Sequence, residues 1–131
     1  AIHNAGRLHH SPLITYIQAS IFDYDFPESA FDVVVCRSAI EHFKEEDQNF
    51  IFKQVKKALK PEGWFCGDTI AAIDPDQLHL SHHENEWSDS AEMKSQLLTV
   101  FDEVKVSTLL SKEQTTSQKY RTTLFWACQN L

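Results

Sequence analysis

The stretch that decides the fold runs from Phe31 to Ile70 and reads FDVVVCRSAIEHFKEEDQNFIFKQVKKALKPEGWFCGDTI. It begins with Phe31 to Cys36, which is apolar except for Asp32 and predicts a parallel strand covered by helices on both sides. It ends with Trp64 to Ile70, whose aromatic and β-branched residues predict a further strand. A helical pattern lies between the two runs, so the stretch predicts a strand–helix–strand unit.

The helix of this unit is predicted from about Glu45 to Leu59. Its apolar positions have the spacing i, i+4, i+7 and i+8 and form one stripe: Ile51, Val55, Ala58 and Leu59. Acidic residues gather at its start and lysines toward its end, and both groups complement the helix dipole. Pro61 and Gly63 then stop the helix.

Outside this unit the chain continues the alternation of strands and helices. Leu13 to Ala19 is a β-branched and aromatic run that predicts an earlier strand. Asp89 and Glu92 have the spacing of a capping box ahead of a second helix. Val104 to Leu110 and Thr122 to Gln129 predict the last two strands, joined by a polar connection. The whole of residues 1–131 is therefore predicted to form one α/β domain.

Composition narrows the class of protein. Apolar residues make up 42% of the 131 residues and charged residues 24%, which is typical of a soluble globular domain. No apolar run is long enough to cross a bilayer and no signal-peptide pattern is present, so we expect no membrane partner. The formal charge of −7 argues against a general electrostatic hold on nucleic acid. Three widely spaced cysteines, each in an apolar stretch, predict reduced, buried thiols and a cytoplasmic location.

Three motifs follow one another in a recognisable order. Asp25 to Val34 (DFPESAFDVV) looks like a segment of the form PF-x-x-x-x-FD-x-V. Ile40 to Phe43 is similar to an L-x-H step, and Ala58 to Trp64 is similar to an LKPGG turn with Glu62 in place of the first glycine. Together they resemble the class I S-adenosylmethionine-dependent methyltransferase family, over nearly the whole chain from Leu13 onward. The resemblance implies a partial Rossmann-like methyltransferase sheet, mostly parallel, with an antiparallel C-terminal hairpin and helices on both faces. The alternative is a generic α/β protein in which a strand, a helix and a turn line up by chance.

The glycine-rich part of the family pattern is not found. The chain has three glycines, Gly6, Gly63 and Gly67, and no G-x-G. The twelve residues before Leu13 cannot hold two strands and a helix. Because only glycine lets backbone approach a ligand closely, we expect an N-terminally incomplete domain that is, alone, defective in binding S-adenosylmethionine.

The resemblance also implies which residues would contact that cofactor. Ser20 stands where the family often has Asp after the third strand, and Ile21 would offer its backbone N–H and an apolar face. Cys36, Arg37 and Ser38 follow the fourth strand, at the end of the sheet where open α/β folds bind ligands.

Glu41 and His42 are the candidate catalytic residues. Either can deprotonate a hydroxyl or amine of a small-molecule substrate. The alternative is that the two residues form the polar start of a helix.

A histidine-rich stretch is the one constellation that resembles a metal site: His79, His82, His83, Glu84 and Glu86. It looks like a polar loop with no rigid frame, and the resemblance implies a substrate lid in this region. A metal site needs a fixed ligand geometry, so we predict a lid and no metal.

The resemblance places the missing first and second strands between the third and the fourth. The strand of Val33 to Val35 would then carry an unpaired edge, and such edges recruit other strands. We expect a homo-oligomer, formed by pairing of the fourth strands of two chains, or a third strand that fills the gap. A non-enzymatic interaction module that uses this edge is the competing functional hypothesis, and an oligomer that rebuilds a pocket at its interface is the third.

Overall fold

The computed structural model describes residues 2–8, 10–72, 83–112 and 120–131. Its elements in chain order are helix α1 (Ile2–Leu8), strand β1 (Phe31–Arg37), a 3-10 turn (Ile40–His42), helix α2 (Glu45–Ala58), strand β2 (Leu59–Ile70), helix α3 (Ser90–Leu97), strand β3 (Glu103–Lys112) and strand β4 (Tyr120–Gln129).

The strands form one mixed sheet in the order β1-β2-β4-β3. β1 and β2 are parallel, with Val34 opposite Phe65. β4 is antiparallel to both of its neighbours, so that Trp126 lies opposite Gly67 of β2 and Val106 of β3. The α/β architecture with an antiparallel C-terminal hairpin is therefore confirmed, and within the described residues its parallel part is the β1–β2 pair.

Helix α2 follows the predicted pattern. Its buried residues form one stripe: Gln48, Ile51, Phe52, Val55 and Ala58. Three acidic residues occupy its first turn and two lysines its last turn, which stabilises both ends of the helix dipole. The helix ends at Ala58, one residue earlier than predicted, because Leu59 already has an extended backbone and begins β2.

The core lies on the face of the sheet where α2 packs against β2 and α3 packs against β3. Phe65 is fully buried at its centre, with its ring 5.5 Å from that of Phe101 and 5.6 Å from that of Trp126. Phe52 of α2 adds a third ring at 6.0 Å from Phe65. Burying each such ring stabilises the fold by about 1.5–3 kcal/mol, so this cluster contributes several kcal/mol to the stability of the fold.

The N-cap predicted for the second helix is confirmed. The Asp89 carboxylate accepts a hydrogen bond from the Glu92 N–H at 2.8 Å. The Glu92 carboxylate accepts from the N–H of Ser88, one residue before the N-cap, at 2.7 Å, so the reciprocal bond of the predicted capping box is shifted by one residue. These bonds fix the start of α3, whose Met93 and Leu97 enter the core.

Two positions show why glycine is used or replaced in β2. A Cβ on Gly67 would lie 2.1 Å from the carbonyl oxygen of Cys36 and 2.1 Å from Cζ2 of Trp126, so only glycine fits between these neighbours. Glu62 has φ of 63°. This left-handed conformation explains why a glycine suits the first G of an LKPGG turn, and it makes Glu62 a strained substitute.

The predicted strand from Leu13 to Ala19 is wrong, because these residues form no ladder with any described part of the chain. Leu13 is 93% exposed and Ile17 is 57% exposed. A β-branched run becomes a strand only beside a hydrogen-bonding partner, and the described residues provide none here.

Strand β1 is covered on one face only, so the prediction of cover on both sides is corrected. Val34 and Cys36 pack against the core, whereas Val33 and Val35 are 53% and 61% exposed. Within the described residues β1 pairs with β2 alone, and its other edge has no strand beside it. Among the described helices, none is long and apolar enough to cross a membrane.

Candidate functional site

The carboxyl ends of β1 and β2 are joined by the side chain of Asp68. The register places Asp68 opposite Arg37, whose Nε donates to Oδ2 at 2.7 Å. The Ser38 hydroxyl and backbone N–H donate to Oδ1 at 3.0 and 3.2 Å. Asp68 thus fixes the point where the chain leaves β1, and we call these three residues the Asp68 clamp.

The clamp shifts the titration of its carboxyl group. Burial alone would raise the pKa of Asp68, but the hydrogen bonds from Arg37 and Ser38, with the charge of Arg37, outweigh it. The pKa of Asp68 therefore lies below its ordinary value, and the group is ionised at neutral pH.

Ser38 has φ of 44°, in the left-handed region that non-glycine residues avoid. Such a conformation costs about 1–2 kcal/mol and is held here by the bonds to Asp68. It turns the chain out of the sheet and into the 3-10 turn.

The 3-10 turn carries the two candidate catalytic residues. Glu41 is 1% exposed, and its Oε2 has no hydrogen-bond partner among the described residues. His42 is half-buried, and its ring lies edge-on to that of His83 at 4.9 Å. Lys44 separates the turn from α2, so Glu41 and His42 precede that helix and do not form its first turn.

The segment 83–87 is tied to this turn by backbone bonds. The Glu41 carbonyl accepts from the N–H of Glu84 at 2.9 Å and from that of Asn85 at 3.3 Å. The N–H of Ala72 also donates to the Trp87 carbonyl at 2.9 Å.

Gln48 of α2 completes the connection. Its Nε2 donates to the carbonyls of Ile40 at 3.0 Å and Asn85 at 3.3 Å, and its Oε1 accepts from the Asn85 side chain at 2.8 Å. The expectation of a loop without a rigid frame is therefore wrong for residues 83–87. His79 and His82 lie outside the described residues.

Cys36 is chemically quiet. Burial, together with the charges of Glu41 and Asp68, raises the pKa of its thiol to about 11. The thiol is therefore protonated at neutral pH and serves in packing. All three cysteines are free, in agreement with the prediction of reduced thiols.

The residues predicted to contact the cofactor fall into two groups. Ser20 and Ile21 line an open cavity of about 340 Å³ together with apolar neighbours that include Tyr24, Phe26 and Phe31. The Ser20 hydroxyl accepts from the Phe22 N–H at 3.2 Å within a local turn. Cys36, Arg37 and Ser38 do not line this cavity. They lie at the carboxyl end of β1, near Glu41 and His42.

With this geometry in place, the family can be assigned. A family model described as a methyltransferase domain matches residues 1–67, which is half of the chain. The chain belongs to the methyltransferase domain family. We find no match among curated proteins.

Solved structures agree with this methyltransferase fold. Haemonchus contortus phosphoethanolamine N-methyltransferase 2, in complex with phosphomonomethylethanolamine and S-adenosylhomocysteine, matches 97% of this chain with a TM-score of 0.73 and 15% identity. An S-adenosylmethionine-dependent methyltransferase from Methanosarcina mazei matches all of it, with a TM-score of 0.69 and 16% identity over 77% of that protein. One from Leishmania major matches 96%, with a TM-score of 0.68 and 19% identity over 50% of that protein. The chain spans 39% of the length of the Haemonchus enzyme.

A further structure of the Haemonchus enzyme, in complex with S-adenosyl-L-methionine, matches 85% of this chain with a TM-score of 0.62 and 15% identity. Among the described residues, the cavity at Ser20 and the Asp68 clamp share no residue, and no strand lies beside the outer edge of β1.

Sequence reasoning missed Asp68, Gln48 and the proximity of His83 to Glu41. The signal for Asp68 was a carboxylate in an otherwise buried strand run, which requires a partner. Gln48 lies on the apolar stripe of α2, and a polar residue there also requires one. The approach of His83 is a contact between distant parts of the chain, for which no local pattern exists.

Proposed function

We propose that this chain forms the cofactor floor and substrate side of an S-adenosylmethionine-dependent methyltransferase for a small molecule, and that alone it binds the cofactor weakly or not at all. The observation that carries the proposal is the gathering of polar groups at the carboxyl ends of β1 and β2. The Asp68 clamp lies there, and Glu41 and His42 follow at once. Open α/β sheets bind their ligands at this end.

In this proposal His42 accepts the proton of a substrate hydroxyl or amine. Glu41, beside it, is the alternative base. The half-buried imidazole keeps access to solvent and substrate. Methyl transfer depends mainly on in-line placement and exclusion of water, so the base is an auxiliary group. Ile21 and Cys36 supply an apolar floor, and Ser20, Arg37 and Ser38 supply polar contacts to the cofactor.

A small-molecule substrate is favoured by charge. The net charge of −7 disfavours a polyanionic substrate. The cavity beside Ser20, about 340 Å³, is assigned to the cofactor in this proposal and lies in the range typical of small-molecule sites.

The proposal of weak cofactor binding rests on the positions of the three glycines in the fold. The space beside Gly67 is filled by Cys36 and Trp126, and Gly63 lies in the first half of β2 against the backbone of Lys60 and Phe31. Gly6 lies in α1 with nothing within 4 Å. No glycine of this chain thus brings its backbone to a ligand at the end of β1, which is the role a glycine-rich turn plays.

A second candidate function is favoured by the exposure of β1. Val33 and Val35 present an apolar face beside an edge that no described strand covers. We propose pairing of β1 with β1 of a second copy of this chain, either as a non-enzymatic assembly module or to rebuild a pocket between copies.

Calorimetry with S-adenosylhomocysteine, together with light scattering, separates these functions. We expect a dissociation constant weaker than about 0.1 mM for the chain alone. Any small heat of binding should diminish further in the Ser38→Ala variant. His10→Ala changes an exposed residue distant from Ser38 in the sequence and should leave the heat of binding unchanged. Binding at about 1 μM would contradict the defect, and absence of binding by a stable oligomer would favour the assembly module.

A further inference from the structure

We propose that Glu41, His42 and His83 form a binding site for a divalent transition-metal ion of the zinc type. One ligand atom of each side chain lies within 4.8 Å of the other two. The proposal revises the expectation of no metal: the site uses one histidine of the histidine-rich stretch and takes its other ligands from the 3-10 turn. It does not depend on the methyl-transfer reaction, and in the metal-bound form Glu41 and His42 act as ligands and not as the base proposed above.

The donor set suits such an ion. Two imidazole nitrogens and one carboxylate oxygen are a common set for zinc and related metals in sites that keep a coordination position open. Ligand atoms about 2.0–2.2 Å from a tetrahedral ion lie about 3.3–3.6 Å apart. From separations within 4.8 Å, the side chains need to approach one another by on the order of 1 Å to surround an ion.

The carboxylate of Glu41 provides an independent reason. Its Oε2 is fully buried and has no hydrogen-bond partner among the described residues. A buried carboxylate oxygen without a partner is unfavourable, and such groups are normally hydrogen-bonded or coordinate a metal. A cation between Glu41, His42 and His83 satisfies that oxygen.

The backbone holds the ligands in place. The Glu41 carbonyl accepts hydrogen bonds from Glu84 and Asn85, the two residues that follow His83. Gln48 bonds both sides of this junction, at Ile40 and at Asn85. The two ligand-bearing segments are thus fastened to each other, which gives the fixed geometry that a metal site requires.

Glu86 orients the histidine. Its Oε1 contacts Nδ1 of His83, and both side chains are almost fully buried. Ligating histidines commonly donate their second ring nitrogen to a carboxylate, which fixes the ring and strengthens the ligand. We assign Nε2 of His83 to the metal and Glu86 to the positioning of that ring.

The test adds Zn²⁺ to the EDTA-treated chain and follows affinity by calorimetry and Tm by thermal unfolding. We expect a rise in Tm that EDTA reverses. His83→Ala and His42→Ala should each weaken Zn²⁺ binding at least about tenfold, and Glu86→Gln should weaken it on the order of tenfold. His10→Ala, at an exposed position, is the matched control and should bind like wild type.

Glu41→Gln gives the sharpest readout because its two effects have opposite signs. The neutral amide removes a buried charge, so we expect a higher Tm without metal, and it removes a ligand, so the rise with Zn²⁺ should be lost. If Glu41→Gln does not fold by circular dichroism, His83→Gln, which keeps a polar side chain of similar size, decides the same question. A residue that served packing alone would lower Tm in both conditions.

Replacement of Zn²⁺ by Co²⁺ identifies the ligands by absorption. We expect ligand-field bands without a thiolate charge-transfer band, which excludes the three cysteines as the source. The proposal is overturned by the absence of any Tm rise, by a rise that persists in both Glu41→Gln and His83→Ala, or by a rise lost only in His79→Ala or His82→Ala.

Discussion

Strands β1 and β2 are built from similar residues, yet they differ sharply in how they are buried. Cys66 of β2 is half-buried, whereas Val35, its partner in the parallel register on the same face of the sheet, is 61% exposed. β2 has a hydrogen-bonded strand on each side, and β1 has one on a single side within the described residues. The difference shows that an apolar run fixes the tendency to form a strand, while its neighbours decide its burial.

The largest expected effect on stability comes from a substitution in the well-packed strand β2. Gly67→Ala places a methyl group 2.1 Å from the Cys36 carbonyl and from the Trp126 ring, so β1, β2 and β4 would have to move apart. We expect a loss of at least about 3 kcal/mol in the free energy of unfolding, measured by urea denaturation. Gly6→Ala, with open space around it, is the control and should change it by less than about 1 kcal/mol. Equal effects at the two glycines would contradict the packing described for β2.

The next effect concerns the clamp that joins the two strands. Asp68→Asn removes the charge from its hydrogen bonds with Arg37 and Ser38 and should lower the free energy of unfolding by about 1–3 kcal/mol at neutral pH. Asp32→Asn is the control, because its ion pair with Lys60 is exposed and worth little.

The sign of the pH dependence follows from the lowered pKa of Asp68. Its stabilisation is fully present above the ordinary carboxyl value of 3.8 and is lost as the pH falls through the lower folded-state value. Wild type should therefore lose more stability than Asp68→Asn between neutral pH and the acid range. Parallel curves for the two proteins would show that the clamp carries no charge-dependent stability.

A substitution near the start of β2 is expected to have a smaller effect, which raises the free energy of unfolding instead of lowering it. Glu62→Gly relieves the left-handed strain of about 1–2 kcal/mol and adds a backbone entropy cost of about 0.5–1 kcal/mol. We expect a net gain of about 0.5–1 kcal/mol by urea denaturation. Glu62→Ala, which keeps the strain, should give no gain. A gain of the same size in Glu62→Ala would place the cause in the carboxylate and not in the backbone.

The smallest effect on stability is expected for a substitution in β1, the strand with an uncovered edge. Val35→Lys replaces an exposed side chain and should change the free energy of unfolding by less than about 0.5 kcal/mol. The charge should nevertheless prevent pairing of β1 edges and convert an oligomer to a monomer in light scattering. Leu110→Lys on β3, at the opposite edge of the sheet and 62% exposed, is the matched control. If only Leu110→Lys dissociates the oligomer, assembly uses the other edge.

Much of the fold was predictable because its determinants are local. The spacing of Ile51, Val55 and Ala58 and the charges at both ends define α2, and Asp89 with Glu92 defines the start of α3. Such signals depend on a few neighbouring residues and survive in any tertiary context. The motif order then placed β1, α2 and β2 in the methyltransferase family, which the comparisons confirm.

The candidate site was less predictable because it is assembled from distant segments. Glu41 and His42 were found through their position after β1, but their contact with His83 depends on bonds from Gln48 and Glu84 that no spacing encodes. The segment from Leu13 to Ala19 failed for a related reason, since strand propensity alone does not supply a partner. The roles proposed for Glu41, His42 and His83 in binding and catalysis are tested by the experiments above.

Hydrogen exchange of β1 against β2, measured at two protein concentrations, tests the central claim most directly. Alternate N–H groups of β1 face its uncovered edge, so residues 31–37 should exchange faster than residues 64–70 in dilute solution. In concentrated solution residues 31–37 should gain protection as a second copy pairs with them, while residues 64–70 stay unchanged. Equal protection of the two strands in dilute solution, or no gain on concentration, would contradict an open β1 edge that recruits another chain.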